Sequence, residues 1–230
     1  MRYQVTTLGE LRYPSPLNRF VSDDLCVPEQ IIRGLPAPRE ELCFEMAGPR
    51  AKLFFDPGQT RAGIVTCGGL CPGLNNIIRS LFNELHHAYG VKEVLGFRGG
   101  YRGLDPAHGQ EPLPLTPEIV NDIHRNGGTV LGTSRGMVDK SAAVANLARL
   151  GVNILFTVGG DGTQRGGNEL FQLARRHGQT LAVVGIPKTI DNDVPYVART
   201  FGFLTAVQEA SFVLDRAMRR RAACRMESRW

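Results

Sequence analysis

The sequence predicts an α/β fold built on a doubly wound, mostly parallel sheet. Three observations carry that expectation. Short apolar runs rich in β-branched residues recur at 62–67, 93–97, 153–158 and 181–186, each followed by Gly, Arg or Pro. Runs of this length, bounded in this way, read as strands buried on both faces. Helical patterns separate them, as in a chain that alternates strand and helix. Two of the runs then lead into polar loops, Gly159-Gly160-Asp161-Gly162-Thr163 and Pro187-Lys188-Thr189-Ile190-Asp191-Asn192-Asp193. In an open α/β sheet, ligands sit outside the carboxyl ends of the strands, where both loops fall.

Taken in order, residues 1–60 hold seven of the fourteen prolines and no sustained period. Pro14, Pro16, Pro28, Pro36, Pro38, Pro49 and Pro57 break helices and central strands. This part reads as an extension that wraps the domain or stays partly disordered, with an edge strand over 52–55. The domain proper opens with the strand at 62–67, a glycine turn at 68–73 and a helix over 74–89. In that helix Leu74, Ile77, Ile78, Leu81, Phe82 and Leu85 form one stripe, Gly90 is the stop, and His86 and His87 lie on the exposed side. A glycine turn opening a helix suits a phosphate, or is no more than a tight connection. Cys67 and Cys71 stand four apart, but no second pair lies at ligand spacing, so a zinc site is not expected.

A strand at 93–97 leads to a loop in which Tyr101 either packs or offers its face to a base. Thr116-Pro117-Glu118 reads as N-cap, Pro at the first position and an acid in the first turn of a helix ending near 125, with His124 terminal. A strand at 130–133 leads into Ser134-Arg135-Gly136, and a helix over 141–150 closes at Gly151. The next helix, 164–177, carries Leu170, Phe171, Leu173 and Ala174 on one side and stops at Gly178. The last helix begins after Thr200, with Leu204, Val207, Ser211, Leu214 and Met218 facing inward.

Several classes are excluded. No run of about 18 apolar residues occurs, and the first residues lack a charged segment followed by an apolar one, so neither a membrane span nor a secretory signal is expected. Five cysteines at irregular spacing do not make a disulfide framework, which points to a reducing compartment. The formal charge of +5 resides mostly in residues 219–230, with five Arg and one Glu, so no basic face for nucleic acid is expected on the body.

The two loops suit magnesium–phosphate chemistry. Consecutive glycines let the backbone approach a polyphosphate and turn N–H groups toward it. Asp161 is a hard oxygen donor for Mg²⁺ shared with phosphates. Thr163 adds a hydroxyl and a cap for the helix that follows. Arg135 emerges on the same edge, where its planar fork suits phosphate oxygens. Asp191 and Asp193, two apart, can serve a reacting hydroxyl and a metal or structural role.

These motifs, together with Thr66-Cys67-Gly68-Gly69-Leu70-Cys71-Pro72-Gly73-Leu74-Asn75, Gly99-Gly100-Tyr101-Arg102-Gly103-Leu104, Gly132-Thr133-Ser134-Arg135-Gly136 and Thr200-Phe201-Gly202-Phe203, resemble the phosphofructokinase family. The resemblance covers about residues 60–218 and is to the plant-type and trypanosomatid-type branch, which has an N-terminal extension. NAD kinases and lipid kinases share GGDGT but lack PKTIDND. The resemblance implies transfer of a phosphoryl group from MgATP to the 1-hydroxyl of fructose 6-phosphate, in a cytoplasmic, glycolytic homo-oligomer. It implies Gly69, Tyr101, Arg135, Gly136, Gly160, Asp161, Gly162, Thr163 and Lys188 as donor contacts, with Asp161 holding Mg²⁺ and Arg135 neutralising phosphate charge. It implies Asp191 as base, Thr189 as a hydrogen-bond donor to the transferring group, and Thr189, Ile190 and Asp191 as the substrate side. Arg79 matches one basic residue of an effector site in bacterial relatives.

Glycine at 162 leaves room for ATP where an Asp goes with pyrophosphate. Lys188 occurs in pyrophosphate users and in the plant-type ATP branch, so ATP is the expected donor and pyrophosphate the alternative. Family members continue into a second domain that holds the sugar phosphate, and none of its motifs follows residue 218. The expected organisation is an extension (1–60), a nucleotide-binding α/β domain (61–218) and an unrelated Arg-rich tail (219–230). Such a truncated chain is expected to be weakly active or inactive, or a non-catalytic nucleotide-binding fragment.

Overall fold

A computed structural model describes residues 7–28, 43–108, 110–136, 138–195 and 197–227, with side chains as far as Arg221. Pro36, Pro38 and residues 228–230 of the expected tail lie outside the described residues.

The extension contributes four short strands: β1 (Tyr13–Pro14), β2 (Cys26–Pro28), β3 (Cys43–Glu45) and β4 (Lys52–Leu53). They pair antiparallel as β1–β4 and β2–β3, so every strand is an edge and Pro14 and Pro28 remove no central ladder bond. Arg50 ties this part together, with its guanidinium 2.8 Å from Asp23, 3.0 Å from Glu45 and 2.5 Å from the Met46 carbonyl it donates to. The edge strand expected over 52–55 is only two residues long and pairs with β1, not with the main sheet. Leu53, Phe54 and Phe55 instead border an apolar cavity of about 340 Å³, facing Leu85, Tyr89 and Phe156.

The main sheet comprises β5 (Arg61–Thr66), β6 (Glu93–Phe97), β7 (Leu113–Pro114), β8 (Ile154–Gly159) and β9 (Ala182–Pro187). Its order is β7-β6-β5-β8-β9, parallel throughout except for β7, which runs antiparallel to β6. The helices are α1 (Leu74–Asn83), α2 (Pro117–Val120), α3 (Lys140–Arg149), α4 (Asp161–Arg176) and α5 (Phe203–Glu227). Alternation along β5 feeds two cores, as the two-residue period of a strand requires. Ala62 and Ile64 pack with Ile78, Phe82 and Leu85 on the α1 face. Val65 packs with Leu147, Leu155 and Leu170 on the face covered by α3 and α4. The predicted doubly wound sheet is therefore present, and its carboxyl edge gathers the turns that follow β5, β6, β8 and β9.

Several expectations change. Residues 130–133 form no strand: Gly132 is left-handed at φ +64°, and the segment bonds to neighbouring turns. Its carbonyls accept from Gly99 N–H at 2.8 Å and from Thr66 Oγ1 at 2.7 Å, which uses them where a ladder would have. The helix after β8 starts at Asp161, three residues early, so its N-cap is Gly160 and Thr163 lies inside the first turn. The helix starting at Thr116 ends at Val120 and is followed by a separate turn, Ile123–Arg125. Helix α1 continues as a π-helical turn, Glu84–Ala88, in which His86 stacks on Phe82 at 5.1 Å and is not on the exposed side.

Helix α5 departs furthest. It passes Met218 without a break, and Leu204, Val207, Ser211, Leu214 and Met218 are exposed, Met218 by 70%. The stripe was expected to face inward because buried helices show that spacing. Here no described element covers it.

Candidate active site

A cavity of about 420 Å³ opens at the carboxyl edge of the sheet. It is lined by Cys67, Gly68, Gly69, Tyr101, Ser134, Arg135, Gly136, Gly160, Asp161, Gly162, Thr163 and Lys188. Five stretches far apart in sequence meet because each follows, or threads between, parallel strands that end on the same edge.

The cavity is stitched together by backbone contacts that depend on small residues. Thr133 Oγ1 donates to the Gly68 carbonyl at 2.6 Å, and Gly68 N–H donates to the Ser134 carbonyl at 3.2 Å. Ser134 Oγ donates to the Gly99 carbonyl at 2.6 Å. Arg135 is thereby carried between the turn after β5 and the turn after β6, with its guanidinium so close to Gly69 that a side chain there would touch it. Lys188 is buried, only 6% exposed, and its ammonium donates to the Gly69 carbonyl at 2.5 Å. Its own N–H donates to the Gly159 carbonyl at 2.9 Å, so this lysine joins the turns after β5, β8 and β9.

Tyr101 lies against α4. Its hydroxyl donates to the Thr163 carbonyl at 2.6 Å, and a Cβ on Gly166 would approach its ring to 2.7 Å. Burial, followed by the neighbouring Cys67, raises its phenol pKa, so the group stays a hydrogen-bond donor. Burial also pushes the Cys67 thiol up to about 11, in spite of Lys188 nearby. Cys67 is thus an inert wall and not a nucleophile.

The electrostatics favour an anion. The N-terminus of α4 opens into the cavity with its unpaired N–H groups, and Lys188 and Arg135 flank it. Asp161, first residue of α4, is exposed, and its carboxylate has no hydrogen bond or ion pair among the described residues. No group of three metal-ligating side chains occurs among the described residues. A single free carboxylate beside a glycine-rich turn with exposed backbone fits Mg²⁺, which keeps several waters and takes the rest of its oxygens from phosphates. Beside Gly162 a Cβ would meet nothing within 4 Å.

Thr189, Ile190 and Asp191 are not among the cavity's lining residues and follow it along the same edge. Thr189 Oγ1 accepts from Asp191 N–H at 3.1 Å, Ile190 is 38% exposed, and Asp191 and Asp193 are exposed. Arg79 lies apart, its guanidinium donating to the Asn121 carbonyl at 3.1 Å. Two contributors escaped the sequence reading. Ser134 and Thr200 stand in quoted motifs without a role of their own; the hydrogen bonds to Gly99 and Thr189 reveal what each holds.

The sequence profile of the family described as Phosphofructokinase matches residues 61–227. The chain is 46% identical over 215 residues to ATP-dependent 6-phosphofructokinase 7 of Arabidopsis thaliana, covering 89% of this chain and 44% of that protein. It is 55% identical over 176 residues to an ATP-dependent 6-phosphofructokinase of Trypanosoma cruzi, covering 76% of this chain and 36% of the relative. Among solved structures, phosphofructokinase from Saccharomyces cerevisiae superposes with a TM-score of 0.60 at 25% identity, over 70% of this chain and 24% of that one. A pyrophosphate-dependent phosphofructokinase from Marinobacter aquaeolei superposes at 0.57 with 21% identity, over 63% and 37%, a likeness of fold. The chain spans less than half the length of these curated relatives.

Proposed function

The chain belongs to the phosphofructokinase family, and from that premise we propose that it carries the donor side of a site that phosphorylates the 1-hydroxyl of fructose 6-phosphate from MgATP. The observation that carries the reading is the meeting of Gly69, Arg135, Asp161, Gly162, Thr163 and Lys188 around one cavity at the sheet's carboxyl edge. Phosphoryl transfer asks a protein mainly for positioning and charge neutralisation, and this cavity offers both.

In this reading the glycine turn and the first turn of α4 cradle the donor's phosphates with backbone N–H groups. Arg135 and Lys188 offset their charge, and Tyr101 borders the nucleotide. Asp161 would hold Mg²⁺, which when bound would neutralise charge on the phosphates. Asp191 takes the proton from the attacking hydroxyl, and Thr189 donates a hydrogen bond to the transferring group. Open space beside Gly162 supports ATP over the smaller donor. Lys188 at the cavity wall favours pyrophosphate as the second reading. The wider assignment is a cytoplasmic, homo-oligomeric glycolytic enzyme. Among the described residues no helix is long and apolar enough to cross a membrane.

The test is a thermal-shift and calorimetric titration with MgATP, magnesium pyrophosphate and fructose 6-phosphate. Stabilisation by MgATP is the expected result, about 2.7 kcal/mol at a hundred times Kd. A shift with pyrophosphate alone selects the second donor, and no shift with either removes the donor-site reading.

A further inference from the structure

We propose that Asn192 and Thr200 are positioning residues that form a clasp fixing the loop carrying Asp191. The inference rests on the reading of Asp191 as base. Among the described residues, Asn192 is the one non-glycine residue with positive φ, at 56°. Asn tolerates this conformation better than most residues, yet single strained positions persist only where the surroundings impose them. Here the surroundings are Thr200. Asn192 Oδ1 accepts from Thr200 N–H at 2.7 Å and lies 3.3 Å from Thr200 Oγ1, while Thr200 Oγ1 donates to the Thr189 carbonyl at 3.0 Å. The side chain of a 95% buried threonine therefore bridges the residues on either side of Ile190 and Asp191.

The clasp closes a loop that would otherwise be held at one end only. At its start, Lys188 is tied to Gly69 and Gly159. Beyond Lys188 the chain is half-exposed or exposed through Asp193, and the carboxylate of Asp191 has no partner among the described residues. The clasp also continues into the first glycine turn. Cys71 Sγ–H donates to the Phe201 carbonyl at 3.1 Å, and Phe201 packs toward Gly73. The base-bearing loop and the donor turn thus share one anchor, residues 200–202, and neither Asn192 nor Thr200 lines the donor cavity.

The test uses the 230-residue chain with Thr200→Val, Thr200→Ser, Asn192→Gly and Asp191→Asn. Glycine at 192 keeps the backbone conformation and removes only the acceptor, while serine at 200 keeps the hydroxyl. Two readouts are taken: amide hydrogen exchange at residues 191, 192 and 200, and phosphoryl transfer with separate kcat and KM for MgATP. Thr200→Val and Asn192→Gly are expected to speed exchange at these amides at least tenfold. They should lower kcat at least tenfold with KM for MgATP within threefold, and Thr200→Ser should restore both. Unchanged exchange, a rise in KM matching the fall in kcat, or failure of serine to rescue would each overturn the clasp. An unsubstituted chain without turnover is what a chain carrying only the donor side allows, and the exchange comparison then decides the clasp.

Discussion

At the scale of single residues, Asp161 and Gly162 carry the most chemistry for the least structural commitment. Asp161 begins α4, where a carboxylate gains roughly 0.3–1 kcal/mol from the helix dipole. Losing that in Asp161→Asn should lower Tm by no more than about 4 °C for a protein this size. The same change removes the charge offered to Mg²⁺, so affinity for MgATP should fall roughly 10- to 100-fold, the worth of a charge-assisted contact. Calorimetry beside a melting curve separates the two, and a large loss of Tm in the free protein would make Asp161 structural. Gly162 has open space where a side chain would go, so Gly162→Asp should fold normally. It adds a negative charge facing the donor's phosphates, and ATP affinity should drop at least roughly tenfold while pyrophosphate affinity holds. Equal ATP binding before and after would mean that the nucleotide does not pass this turn.

At the scale of elements, what the sequence reveals depends on whether a neighbour or the local chain decides the outcome. The strands β5, β6 and β8 are legible because burial on both faces leaves continuous apolar runs, and β9 shows a similar run although it lies half-exposed at the sheet's edge. The cavity is legible because Gly-Gly-Asp-Gly-Thr follows a recognisable strand and Arg135 stands in a polar turn between Gly132 and Gly136. Residues 130–133 mislead because their apolar pair resembles a strand, while left-handed Gly132 and the hydroxyl of Thr66 divert the backbone. Helix α5 misleads differently: the stripe is real, but spacing cannot say what covers it. The β2–β3 sheet of the extension is tied by the ion pairs of Arg50 to Asp23 and Glu45, which leave no period to read. The Thr200 clasp is invisible without tertiary contacts. The turn before α5 gives a sharp test, because Gly202 has φ +84° and a Cβ there would lie 2.4 Å from Cys71 Sγ and from the Pro72 carbonyl. Gly202→Ala combines a left-handed penalty with overlap, each about 1–3 kcal/mol, and should lower unfolding free energy by at least about 2 kcal/mol. Gly162→Ala, with nothing to meet in a helix's first turn, is the control and should be neutral or stabilising. Equal denaturation midpoints for the two variants would show that the Gly202 contact gives way freely.

At the scale of the whole molecule, the balance between an exposed apolar face and a basic helix decides how the 230-residue chain behaves in solution. Leu204, Val207, Leu214 and Met218 are 48–70% exposed along one face of α5, and Val184 is 42% exposed on the outer strand β9. Covering what remains of each side chain is worth roughly 1 kcal/mol, so two such helices meeting gain on the order of 10 kcal/mol. Association costs about 4–15 kcal/mol, so a weak complex is the most this face can sustain. The same helix carries Arg216, Arg219, Arg220 and Arg221 against Glu209 and Asp215 among its charges, and like-charged helices repel until salt screens them. Screening acts over about 10 Å at 0.1 M salt and about 3 Å at 1 M. Self-association should therefore be concentration-dependent and stronger at high salt than at low, the opposite of a charge-driven complex. Sedimentation velocity across a hundredfold range of concentration, at low and high NaCl, reads both signs. Val207→Ser with Leu214→Ser should return the chain to a monomer without changing MgATP affinity, since neither residue lines the donor cavity. Association that weakens with salt, or survives the paired substitution, would show that the apolar face of α5 is not what the copies share.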